Sequence, residues 1–183
     1  MNNWRENLSR LAAEFWCGIG DLAELRTWAD VANKETGEAH SQIWDIYTVA
    51  DHKHATDLLL SMASDINGFK LESWEAEPFA MSAFKKALDA FFSRSMPVQT
   101  FCKLVEKLDA TYNIGLAGVP KPESLQSHEE WWLGNLWNCC DWCDESWTME
   151  NSSPLLAEAQ RVSKVLANIG VKRDVPHAAR PLP

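Results

Sequence analysis

Apolar residues recur every three to four positions along most of this chain, and that spacing restricts the fold more than any other feature. After Pro78, the residues Phe79, Met81, Phe84, Ala87, Leu88, Phe91 and Phe92 fall on one helical face. After Pro97, Val98, Phe101, Cys102, Val105 and Leu108 repeat the pattern. Leu and Ala supply 40 of the 183 residues, against 15 for Val and Ile and 16 for Gly and Pro. Residues that favour strands and turns are thus scarce, and those that keep their rotamer freedom in a helix are abundant. The expected fold is all-α, a single-domain bundle of roughly six to eight helices over residues 1–170. Residues 171–183 carry three prolines and no apolar period, and read as a loosely ordered tail.

Boundaries follow from local signals. Trp4, Leu8, Leu11, Ala12, Phe15 and Trp16 predict a helix over 3–16, broken by Gly18-Ile-Gly20. Asp21 with Glu24 reads as a capping box for a second helix, fading near Lys34 before Gly37. Residues 41–50 suit a short helix or an extended segment, with helix preferred. A helix over about 52–66 ends at Asn67-Gly68. Pro78 suits a helix start, and residues 113–126 read as a loop. Ser127 with Glu130 predicts a capping box that opens a tryptophan-rich helix to about residue 147. Ser152, Ser153 and Pro154 start the last helix, with Gly170 as its cap.

The formal net charge is −9. A sequence-independent nucleic-acid binder or a protein held on an anionic membrane needs a basic footprint, and none is visible. A basic protein partner is favoured. The five cysteines, Cys17, Cys102, Cys139, Cys140 and Cys143, are odd in number in a chain that is not small, so a disulfide framework is not expected. No apolar stretch has signal-peptide or membrane-spanning length, and a cytoplasmic location is the expectation.

The charge is unevenly placed. From Pro122 to Gln160 there is no Lys or Arg, yet eight acidic residues and five of the ten tryptophans fall there. A helical projection of that stretch puts Trp132, Leu133, Leu136, Trp137, Cys140, Cys143 and Trp147 on one side, expected to be core. Trp131 and Trp142 fall on nearly the opposite side, with Asn135, Asn138 and Glu145, and with Asp141 close by. Glu130 and Asp144 add charge. Exposed tryptophan suits a binding hot spot, and uncompensated carboxylates speed encounter with a basic surface. These eight residues are the candidate partner-binding set.

Candidates for chemistry are thinner. Cys140-Asp-Trp-Cys143 has no second pair to complete a tetrahedral zinc site, and reads as core thiols. His52-Lys-His54, between Asp51 and Asp57, points its imidazoles to different helix faces and reads as a capped, solvated helix start. No catalytic set, metal site or cofactor is expected.

The run Leu133-Gly-Asn-Leu-Trp-Asn-Cys-Cys-Asp-Trp142, preceded by the helix Pro97-Val-Gln-Thr-Phe-Cys-Lys-Leu-Val-Glu-Lys-Leu-Asp109, resembles the small, acidic, mostly helical immunity proteins that bacteria make against polymorphic toxins, contact-dependent inhibition systems included. The resemblance is one of size and organisation. It implies a non-enzymatic inhibitor of one cognate toxin domain, many such domains being basic nucleases. Two other readings are a small helical enzyme or ligand-binding protein with carboxylates in an inter-helix pocket, and a self-associating helical module.

Overall fold

The computed structural model describes residues 4–37, 40–122 and 131–173. It is all-α, with no strand among the described residues. The helices are α1 (Trp4–Trp16), α2 (Leu22–Thr36), α3 (Ser41–Asp45), α4 (His52–Asn67), α5 (Glu77–Phe92), α6 (Val98–Asp109), α7 (Leu136–Cys140) and α8 (Ser153–Arg173). A 3₁₀ turn, Ile46–Thr48, extends α3, and a π turn, Ala110–Gly115, extends α6.

Local chemistry sets the ends. The Asp21 carboxylate accepts from the Ala23 N–H at 2.8 Å and starts α2, while Glu24 turns away to pair with Arg10. Asp51 accepts from the His54 N–H at 2.8 Å and starts α4, the capped start expected from sequence. Gly37 and Gly68 end α2 and α4 with φ of 60° and 65°, a conformation that costs glycine nothing. Pro78 sits in the first turn of α5.

Two apolar clusters share α1. One side of α1 (Leu8, Leu11, Ala12, Phe15) packs with Leu25 and Trp28 of α2, Ile43 of α3 and Leu59 and Met62 of α4. Its other side (Ala13, and Cys17 just beyond it) joins α5, α6, the segment after Trp131 and α8. Phe69 packs against both clusters. Ring contacts carry the second cluster across α5 and α6: Phe91 stacks 4.2 Å from Phe101, Phe84 stacks 5.6 Å from Phe101, and Trp132 lies tilted 5.6 Å from Phe84. Glu14, buried on α1, takes Arg10 and, from α5, Lys86, each at 2.7 Å.

Three expectations are corrected. The tryptophan-rich helix does not run to residue 147: only Leu136–Cys140 is helical, with turns on both sides. Gly134 has φ +57°, and the Asn135 N–H is taken by Glu158 of α8 at 2.6 Å. Beyond Cys140, short polar side chains bind nearby backbone and outcompete the helix ladder. Asp144 accepts from the N–H and hydroxyl of Ser146, and Asn151 bridges the Thr148 N–H and the Ser146 carbonyl. The start of the expected loop is instead helical, because α6 continues through the π turn and buries Tyr112. The last helix passes Gly170 and ends at Arg173. The Ser127–Glu130 capping box and the tail beyond Arg173 lie outside the described residues.

Candidate protein-binding face

The segment 131–152 is anchored at both ends and alternates buried with exposed side chains. Trp132, Leu133, Leu136 and Cys140 are buried, as the projection expected. The Trp132 indole donates to the buried Glu77 carboxylate at 3.0 Å, whose second oxygen takes Lys121 at 2.5 Å. Lys121 also lies 4.9 Å from the centre of the Trp74 ring, and the Trp74 indole donates to the Val119 carbonyl at 3.0 Å. Gln99 of α6 holds the far end, its amide donating to the carbonyls of Asp144 and Trp147 at 3.0 and 2.9 Å. The outward residues therefore sit on a tethered frame.

Trp142 is 78% exposed and Trp137, expected in the core, is 41% exposed. Asn135, Asn138, Asp141, Asp144 and Glu145 are exposed as well, and the Asn138 amide donates to Asn135. Trp131 departs from expectation: it is half-buried, packs against the core 5.5 Å from Trp132, and its indole N–H is buried without a partner among the described residues. Because the helix spans only Leu136–Cys140, a 100° projection relates neither Trp131 nor Trp142 to it, and the short helix turns Trp137 outward. Glu130 lies outside the described residues.

Tertiary structure also redistributes charge. Arg94, from the end of α5, pairs with Glu150 at 3.0 Å, and Arg161 pairs with Glu158 at 2.9 Å. Two carboxylates of the base-free block are thus neutralised by arginines outside it. Asp141, Asp144 and Glu145 have no ion pair among the described residues. The Ser146 hydroxyl and N–H hold the Asp144 carboxyl below its usual range, so it stays charged. Beside the loop, a recess of about 360 Å³ is lined by Gln99, Cys102, Lys103, Glu106, Cys143, Asp144 and Glu145. Lys103 therefore approaches the acidic rim without pairing with it.

Two thiols beneath this face are held in the protonated form by their surroundings. Burial pushes Cys143 up to about 12, with the Cys102 thiol adding to the effect. Cys102 is raised further, first by its contact with Cys140 and then by burial. Among the described residues no group of three His, Cys, Asp or Glu side chains is arranged to hold a metal ion. A separate cleft of about 670 Å³ lies between the start of α1 and the end of α4, lined by Arg5, Glu6, Ser9, Asn67, Phe69, Lys70 and Glu75, among others. Its amide is already engaged, Asn67 donating to the Arg5 carbonyl and the Ser9 hydroxyl. No described helix is long and apolar enough to cross a membrane. No family model, curated protein or solved structure matches this chain.

Proposed function

We propose that this chain is a binding protein that neutralises a basic protein partner, of the kind an immunity protein makes against a cognate toxin domain. The observation that carries the reading is Trp142: a large aromatic side chain, 78% exposed, on a loop held by Gln99 and by its own hydrogen bonds, beside three carboxylates without ion pairs among the described residues. A single exposed tryptophan is ordinary, but one on a hydrogen-bonded frame beside a mainly acidic rim is suited to recognition. Trp142 and Trp137 supply apolar area. Asp141, Asp144 and Glu145 supply the attraction to a basic surface. Asn135 and Asn138 supply hydrogen bonds at the edge. No chemistry is assigned to the chain in this reading: it acts by covering a site on its partner.

The test is capture of the partner from the source cells on the immobilised chain at low salt, then elution with rising salt. A single basic domain held one-to-one is expected, with its toxic activity suppressed by added chain. Glu145→Lys should slow association and Trp142→Ala should speed dissociation, the latter about tenfold or more for a hot-spot residue. Retention of the same partner, unchanged, by both variants would exclude this face.

A further inference from the structure

The recess beside the 141–147 loop has a second wall, which comes from outside the base-free block of the sequence. Gln99, Lys103 and Glu106 lie four and three residues apart on α6, so one helical face presents all three to it. Cys143, Asp144 and Glu145 form the facing wall. Gln99 closes one end, its amide nitrogen donating to the Asp144 and Trp147 carbonyls at 3.0 and 2.9 Å. The buried Cys102 and the half-buried Cys143 line the recess with sulfur.

Acceptors stand on both walls. Glu106 is exposed and, like Asp144 and Glu145, forms no ion pair among the described residues. Ser146 engages one oxygen of the Asp144 carboxylate through its N–H and hydroxyl, and no described residue binds the other. The Gln99 side-chain oxygen likewise accepts from no described residue. Cations nearby are fewer. Among the described residues, Lys103 is the one cation lining the recess, and it is exposed. Lys107, one turn further along α6, is committed to Trp16, donating to its carbonyl at 2.7 Å and lying 4.2 Å from its ring centre. Arg94 is paired with Glu150. Three carboxylates thus face one lysine around a space of about 360 Å³.

That balance repels an anionic occupant. Among the described residues no three such groups are arranged to hold a metal ion. A guanidinium suits the recess better than an ammonium: it is planar, weakly hydrated and carries donors on several edges, so it can reach acceptors on both walls. Resting on the reading above, we propose that this recess receives one arginine side chain from the partner's basic surface, held by Glu106 of α6 and by Asp144 and Glu145 of the loop, beside the Trp142 anchor. Lys103 opposes that binding.

The experiment titrates the full chain, labelled with ¹⁵N, with acetyl-arginine-amide and with its neutral citrulline counterpart. The Gln99 side-chain amide and the Cys143–Glu145 backbone signals should shift saturably with arginine, about fivefold or more tighter than with citrulline. Glu106→Gln should weaken arginine binding about threefold or more, and Lys103→Gln should tighten it about twofold. Asp141→Asn removes an exposed charge outside the recess lining and should change it by less than about twofold. Equal response to citrulline, no weakening by Glu106→Gln, or weakening by Lys103→Gln would overturn the proposal. Retention of the captured partner separates the recess from the face. Release quickened by Trp142→Ala but unaltered by Glu106→Gln would overturn the recess and leave the face. An arginine response with the partner held unchanged by both Trp142→Ala and Glu145→Lys would overturn the face, and with it the partner's arginine.

Discussion

Trp132 donates its indole N–H to Glu77 and lies against Phe84, and it is 1% exposed. Truncating it leaves a cavity in the second cluster and strips a buried carboxylate of a donor. Trp132→Ala should therefore cost about 3–5 kcal/mol, read as a lower urea midpoint. Ten residues on, Trp142 has nothing comparable to lose. Trp142→Ala should leave stability within about 0.5 kcal/mol of the parent and act only on partner binding. A matching loss of stability in the two variants would mean that Trp142 is a core residue. Both side chains have the same chemistry, and the sequence distinguishes them only through the helical projection, which placed Trp132 and Trp142 correctly and Trp131 and Trp137 incorrectly. The errors share one cause: the projection assumes a continuous helix from Ser127, and among the described residues of that stretch the helix spans only Leu136–Cys140, leaving Trp131 outside it.

At the scale of elements, the 141–152 loop depends on groups remote in sequence. Gln99 spans 45 and 48 residues to reach the Asp144 and Trp147 carbonyls. Gln99→Ala should destabilise the chain by only about 1–2 kcal/mol. It should nonetheless raise hydrogen exchange at residues 143–148 and weaken partner binding without touching the partner. Unchanged exchange there would show that the loop's own hydrogen bonds suffice. At the other end, Glu158 accepts the Asn135 N–H and pairs with Arg161, and a side chain on Gly134 would collide with both. Arg161, then the Asn135 N–H, hold the Glu158 carboxyl below its ordinary value near 4.5. A lowered folded-state pKa contributes stability that is complete above 4.5 and is lost as pH falls through the lowered value. Glu158→Gln should flatten that part of the acid-side decline, as followed by thermal melts between pH 5 and pH 3, roughly the range in which an ordinary carboxylate titrates. An unaltered pH profile would assign the decline to other carboxylates.

For the whole molecule, α1 is the element on which the two clusters meet, and Glu14 ties it to α5 through Lys86. Glu14 is 1% exposed while Arg10 and Lys86 reach solvent. Glu14→Ala should therefore cost about 1–3 kcal/mol, because both cations can recover water. The parent should unfold in one transition by far-ultraviolet and near-ultraviolet circular dichroism, since neither cluster is complete without α1. Two resolved transitions would mean that the clusters are separate folding units. The arrangement also explains why two exposed aromatic corners coexist: α3 with its turn, which carries Trp44 and Tyr47, caps one cluster and the 135–147 segment caps the other. Each presents to solvent what its short helical length cannot bury.

The all-α class, the bounds of α1, α2, α4 and α5 to within about two residues and the inward faces of α1, α5 and α6 were legible from apolar period and capping residues alone, because those signals act within a few residues of themselves. The excess of acid over base in 122–160 was legible as a count, but its consequence was not. Arg94 and Arg161 neutralise Glu150 and Glu158, Lys121 reaches Glu77 beneath Trp132, and Asp141, Asp144 and Glu145 are left without ion pairs among the described residues. The end of the tryptophan-rich helix and the outward turn of Trp137 likewise rest on Glu158, Gln99 and the Asp144 and Asn151 turns. Hydrophobic periodicity is a local property of the chain. The partners that end a helix or neutralise a charge are chosen by proximity in space, which only the packed helices create.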